Sequence, residues 1–99
     1  MATRHRESES VERFIRDRQL VLMRRAIATL AAAGDDELQF QFHRLAGSLG
    51  TYQLHAAAQL LRELEGRAQT PSEAGASHDG LRAEAVSGLR VIVSAMAVA

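Results

Sequence analysis

His43 is the side chain whose type and setting most clearly indicate chemistry. It lies between Leu38 and Tyr52, a stretch in which apolar residues recur with helical spacing. At 100° per residue, His43 falls about 130° from the middle of an apolar face made of Leu38, Phe42, Leu45, Leu49 and Tyr52. Imidazole is a good nucleophile near neutral pH, so an exposed His43 could attack an electrophilic group.

The helical face that carries His43 is unusual for a surface helix. It holds polar, aromatic and very small residues, namely Gln39, Phe40, Gly47 and Gly50, with Arg44 and Ala46 to either side. A glycine inside a helix costs about 1 kcal/mol relative to alanine. Two glycines beside an imidazole remove side-chain bulk, which would let another protein approach the ring. Phe40 is predicted to be an exposed docking anchor, unless it packs under the N-terminal arm.

Four amphipathic helices are predicted to position this face. The apolar spacing predicts them at about 10–33 (with a possible break at 17–19), 36–51, 54–68 and 81–97. Asp35 and Asp79 are the predicted N-caps of the second and fourth helices. Residues 1–8 are predicted to form a flexible arm and residues 69–80, which include Pro71, a loop.

These elements predict one all-α domain over residues 1–99. No stretch alternates with a period of two, so no strand is expected. Helices joined mostly by short connections favour an antiparallel four-helix bundle with up-down-up-down order. In that arrangement His43 would be exposed on the second long helix, and the fourth helix would complete the bundle or, alternatively, form a dimer seam.

Composition narrows the classes of partner. The formal net charge is zero, so neither a nucleic-acid partner nor a membrane surface is expected. The arginine-rich first thirty residues fit a solvated helix face, with a basic docking surface as the alternative. The apolar C-terminal run is too short to span a bilayer, and the polar start has no signal-peptide core, so a self-contained cytoplasmic protein is expected.

Other reactive side chains do not form a second constellation. His5, His55 and His78 lack a His-x-x-x-His spacing or an acidic companion on a shared face, and the chain has no Cys, so no metal site is predicted. Ser48 is predicted to be a hydrogen-bonding residue at the flank of the bundle and not a nucleophile, because no base is aligned with it. Neither a glycine-rich nucleotide loop nor a paired-carboxylate site is visible, which argues against a free-standing enzyme or a kinase.

The segment from His43 to Tyr52 resembles the motif of histidine phosphotransfer (HPt) domains. In that motif the histidine is followed by Leu at plus two, Gly at plus four and Ser or Thr at plus five, as Leu45, Gly47 and Ser48 are here. The flanks agree, and the resemblance covers roughly residues 14–67. The chain departs from the pattern at Ala46, where the family commonly has Lys, and at Gln53, where it commonly has Gly.

The resemblance implies a role for each residue near His43. His43 would be phosphorylated at Nε2, and Gly47 would leave room for the phosphoryl group and the incoming partner. Gln39 could hydrogen-bond the ring or a phosphoryl oxygen, and Arg44 or an arginine from a neighbouring helix could replace the missing lysine. Phe40, Ala46, Gly47 and Gly50 would form the docking face.

The implied function is relay of a phosphoryl group between aspartates of receiver domains. The partners would be response-regulator receiver domains, a hybrid sensor histidine kinase, or both. The chain would be a monomeric carrier with a covalent phosphohistidine intermediate rather than an enzyme. It would need no cofactor of its own, since Mg²⁺ would be bound by the receiver. Ala46 keeps an alternative open, in which a helical adaptor with the same fold binds these partners without being phosphorylated.

Overall fold

The chain folds into four helices. The computed structural model describes residues 2–69 and 77–98, with side chains at 9–69 and 77–97. The helices are α1 (Ala2–Ala32), α2 (Leu38–Thr51), α3 (His55–Gln69) and α4 (His78–Val98). No strand occurs within the described ranges, so the prediction of an all-α, four-helix protein is confirmed.

All four helices contribute to one apolar core. Its largest fully buried side chains are Phe42, Met23, Leu30, Leu38, Leu49, Leu61, Leu64, Leu81 and Leu89. Burying each one stabilises the fold by about 1.5–3 kcal/mol relative to exposure. The apolar face predicted for α2 is correct except at Tyr52, which is 41% exposed. Because α2 ends at Thr51, the helical rotation that would have brought Tyr52 to the core stops one residue early.

The end of α2 places Gln53 in a conformation that favours glycine. The Leu54 N–H donates to the Leu49 carbonyl at 2.9 Å, and the Gln53 N–H donates to the Gly50 carbonyl at 3.1 Å. This pair of hydrogen bonds is a Schellman motif, which needs a left-handed residue just after the helix. Gln53 adopts that conformation with φ 64°, which is the backbone geometry that a glycine adopts without strain.

The connection from α1 to α2 differs from the prediction. Residues 35–37 form a turn, and Glu37 is the N-cap residue without a side-chain cap. Asp35 does not cap α2, because its carboxylate accepts a hydrogen bond from Arg82 of α4 at 2.7 Å. The same Arg82 nitrogen donates to the Ala33 carbonyl at 3.0 Å. Arg82 therefore joins the α1–α2 turn to α4.

The start of α4 was also predicted three residues late. The helix begins at His78, and Ser77 Oγ accepts a hydrogen bond from the Gly80 N–H at 3.0 Å. Ser77 thus has the capping role predicted for Asp79, whose carboxylate is paired with Arg82 at 2.6 Å instead. Of the loop predicted at 69–80, Gln69 ends α3 and residues 78–80 belong to α4, while residues 70–76 lie outside the described residues.

Helix α1 is longer than predicted. It runs without a break through residues 17–19 and includes residues 2–8, which the sequence placed in an arm. The segment has no Gly or Pro before Gly34 and is rich in Arg, Glu and Ala, all good helix formers. Every side chain from residue 9 to 18 is exposed, and the molecule is 61 Å long but only about 20 Å wide. The first half of α1 therefore extends beyond the packed core.

Candidate functional site

His43 lies on α2 with its side chain open to solvent and held by α3. The imidazole is 75% exposed, and its Nδ1 is 2.9 Å from Oε2 of Glu65, whose side chain is only 16% exposed. The neighbouring residue Phe42 is fully buried and fixes the backbone from which His43 projects. Gln69 donates a longer hydrogen bond of 3.4 Å to the same Glu65 oxygen. The carboxylate that orients the ring is thus itself held by Gln69, one turn further along α3.

The contact with Glu65 favours one tautomer of His43. A carboxylate accepts hydrogen bonds, so Nδ1 carries the proton and Nε2 carries the lone pair. Within residues 2–69 and 77–98, no group hydrogen-bonds Nε2. The arrangement leaves Nε2 accessible. If the ring acted as a nucleophile, Glu65 would place a negative charge beside the positive charge that the ring gains, as the aspartate does in a Ser-His-Asp triad.

An open cleft of about 430 Å³ adjoins the ring between α2 and α3. Its lining includes His43, Ala46, Gly47, Arg62, Glu65 and Gly66. A Cβ built on Gly47 or on Gly66 would meet nothing within 4 Å. Packing against the described residues therefore does not require glycine at either position, although each glycine costs about 1 kcal/mol in a helix. What the two missing side chains provide is space beside His43 on both helices.

The predicted docking residues divide into an exposed group and a covered group. Phe40 is 64% exposed on α2, and Gly47 borders the cleft. Ala46 is only 2% exposed, because it lies three residues after His43 and faces α3. It therefore forms the floor of the cleft and does not offer a surface that a partner could contact. Gly50 also faces α3, where its Cβ would lie 3.4 Å from the Arg62 guanidinium.

Neither of the predicted supporting residues, Gln39 and Arg44, hydrogen-bonds the ring in the part of the chain that the structure describes. Arg44 donates two hydrogen bonds, at 3.1 and 2.9 Å, to the side chain of Gln41 on its own helix. Gln39 is exposed and makes no hydrogen bond through its side chain with the described residues. Ser48 is exposed as well, and no side-chain hydrogen bond joins it to the described part of the chain. The arginine that lines the cleft is Arg62 of α3.

Sequence reasoning missed the contribution of α3 to the site. Arg62, Glu65, Gly66 and Gln69 recur at helical spacing and so share one face of α3. That spacing could have identified a polar face beside the apolar stripe. It could not have shown that this face meets His43, because the register between two helices is set by core packing.

No family model, no curated protein and no solved structure matches the chain. In the described residues, no group of three or more acidic or histidine side chains could hold a metal ion. None of the helices there combines the length and apolar character needed to cross a bilayer.

Proposed function

We propose that this chain is a histidine phosphotransfer protein that relays a phosphoryl group between aspartates of receiver domains through His43. One observation carries the proposal. An exposed imidazole, oriented by a carboxylate at Nδ1, borders a cleft where α2 and α3 each have a glycine, Gly47 and Gly66, that packing against the described residues does not require. An incidental surface histidine would need neither the oriented tautomer nor the space.

The proposed fold is an antiparallel up-down-up-down bundle. Contacts at both ends support it. Arg82 near the start of α4 bonds the carbonyl of Ala33 just after α1. Gln19 in α1 donates to the carbonyl of Tyr52 just after α2, at 2.9 Å. Such contacts are expected when α2 and α4 both run back along α1.

The transfer step follows from the geometry of the ring. The Nε2 lone pair attacks phosphorus of a receiver aspartyl phosphate, the N–P bond forms, and the P–O bond to the aspartate breaks as the carboxylate leaves. Nδ1 keeps its proton, and the positive charge that the ring gains is stabilised by Glu65. The same steps in reverse deliver the group to the next aspartate. The receiver supplies Mg²⁺, which neutralises charge on the phosphoryl oxygens.

Arg62 is the proposed replacement for the lysine that the motif has at the position of Ala46. It lines the cleft beside His43 and Gly47, and a guanidinium binds phosphoryl oxygens well. Gln39, one turn before His43, is a proposed hydrogen-bond donor to a phosphoryl oxygen. Phe40 and Gly47 are the proposed docking contacts.

The proposal is tested by phosphoryl transfer in solution. The purified protein is mixed with a ³²P-labelled phosphorylated receiver domain and Mg²⁺, and the product is tested for acid-labile, base-stable phosphate. We expect label on the wild type and on the matched control His55→Gln, whose imidazole is exposed at the start of α3. We expect none on His43→Gln.

Two outcomes would contradict the phosphorelay. Label on His43→Gln would move the site to another residue. Absence of label from the wild type with several receivers that it binds would favour the non-phosphorylated adaptor, which the absence of a lysine at Ala46 keeps open. Gly47→Arg separates docking from folding, because we expect it to block transfer while the circular dichroism spectrum stays that of the wild type.

A further inference from the structure

The exposed half of α1 carries an apolar stripe that the core does not use. Val11, Phe14, Ile15 and Val21 are 58, 71, 49 and 38% exposed. With Arg18 they occupy an arc of about 120° on the helix. The buried residues Met23, Ala26 and Leu30 of the same helix face a direction about 110° away. The stripe is therefore a second apolar surface of α1.

The order of residues along the stripe fits a second copy of the same helix. Val11 and Val21 are equally far from residue 16, and so are Phe14 and Arg18. If two α1 helices cross antiparallel at residue 16, Val11 of one copy faces Val21 of the other. Phe14 then faces Arg18 twice, which allows two cation–π contacts. A parallel pair would instead place Arg18 against Arg18, which is repulsive.

The charges on the rest of α1 disfavour a lipid surface. The side of the helix away from the stripe carries Glu9, Glu12 and Asp17 beside Arg13 and Arg16. Helices that lie on anionic membranes have a polar face rich in Lys and Arg, with few acidic residues. Arg18 would also lie in the middle of the apolar stripe, where acyl chains offer it no partner.

We propose that this protein forms an antiparallel homodimer through Val11, Phe14, Ile15, Arg18 and Val21 of α1. The proposed dimer is an alternative to the monomer expected from the sequence, and it does not depend on phosphoryl transfer. The stripe covers about three turns of helix, less than the roughly 800 Å² per partner of a standard interface, so the dimer is in reversible equilibrium with the monomer. Most of the contact lies on residues 11–18, whose side chains are all exposed, and none of its residues lines the cleft beside His43.

Sedimentation equilibrium between roughly 1 and 500 µM tests the association. We expect a mass that rises from 10.8 kDa toward twice that value with concentration. Phe14→Glu should remain at the monomer mass. The matched control Val91→Glu, at an apolar residue of α4 that is 67% exposed, should associate like the wild type. A wild type that stays monomeric throughout overturns the proposal, and a monomer that instead co-sediments with vesicles of anionic phospholipid shows that the stripe binds lipid.

Cysteine cross-linking tests the register directly, because the chain has no Cys. In the antiparallel register, Val11→Cys mixed with Val21→Cys should give a disulfide-linked dimer. Val11→Cys alone should not, because two copies of residue 11 are about 15 Å apart along the axis, while a disulfide requires Cα atoms within about 7 Å. Cross-linking of Val11→Cys with itself and not with Val21→Cys would refute this arrangement even if a dimer exists.

Discussion

Replacement of Gly47 by alanine gives the sharpest test of the cleft. The position is inside α2, and the added Cβ would meet no atom within 4 Å. Alanine is favoured over glycine in a helix by about 0.8–1 kcal/mol, and no clash opposes that gain. For a domain of this size, 1 kcal/mol corresponds to about 4–8 °C in Tm. We therefore expect Gly47→Ala to melt about 3–8 °C above the wild type.

Two other glycines calibrate this expectation. Gly66 has the same open surroundings on α3, so Gly66→Ala should gain a similar amount. Gly88 is different, because a Cβ there would lie 2.5 Å from Cδ2 of Leu60. The Leu60 side chain must therefore shift to admit the methyl group, which opposes part of the helix-propensity gain. Thermal and urea unfolding of the three variants, followed by circular dichroism, should place Gly47→Ala and Gly66→Ala above the wild type and Gly88→Ala below both of them.

Gly47→Ala also tests whether the space beside His43 is used in phosphoryl transfer. If a partner uses the space at Gly47, then Gly47→Ala should transfer phosphoryl groups more slowly although it is more stable. A Gly47→Ala protein that melts no higher than the wild type would refute the inference that the space beside Gly47 is open. One that is stabilised and transfers at the wild-type rate would show that no partner occupies that space.

Three further outcomes are expected. Glu65→Gln should slow transfer to His43 by about tenfold or more in single-turnover assays, with unchanged circular dichroism, because it removes the charge that stabilises the ring. Gln53→Gly should raise the free energy of unfolding by up to about 1 kcal/mol, because glycine adopts the left-handed conformation without strain. The urea midpoint should rise accordingly, and an unchanged or lower midpoint would argue against strain at Gln53. The hydrogen bond from Arg82 lowers the pKa of Asp35, so this pair stabilises the fold above the unfolded pKa of Asp and ceases to do so as the pH falls through the lowered value. Asp35→Asn should therefore unfold at lower urea than the wild type at neutral pH but not in strong acid, and an equal difference at both pH values would contradict this.

The features that could be predicted from the sequence are those that depend on the spacing of apolar residues along one helix. The four helices, the core face of α2 and the exposed position of Phe40 all follow from spacing along one helix. Helix ends were less predictable, because they depend on competition between partners. Asp35 resembles an N-cap in the sequence, yet Arg82, far along the chain, binds its carboxylate. Such a long-range ion pair leaves no trace in the local pattern.

The supporting residues of the site could not be predicted for a related reason. Arg44 adjoins His43 in sequence but bonds Gln41, while Arg62 and Glu65 reach the cleft from the next helix. Which residues of α3 lie opposite His43 depends on how the two helices slide and rotate when their apolar faces pack. A single sequence does not specify that register.

Among the described residues, the hydrogen bonds and the cleft around His43 come from one contiguous stretch, from His43 to Gln69, which includes the tight turn after α2. Contacts that are close in sequence form early and at little entropic cost. The candidate site is thus formed within the α2–α3 hairpin, on a core to which α1 and α4 also contribute. A circular permutant with new termini outside this hairpin should retain the site.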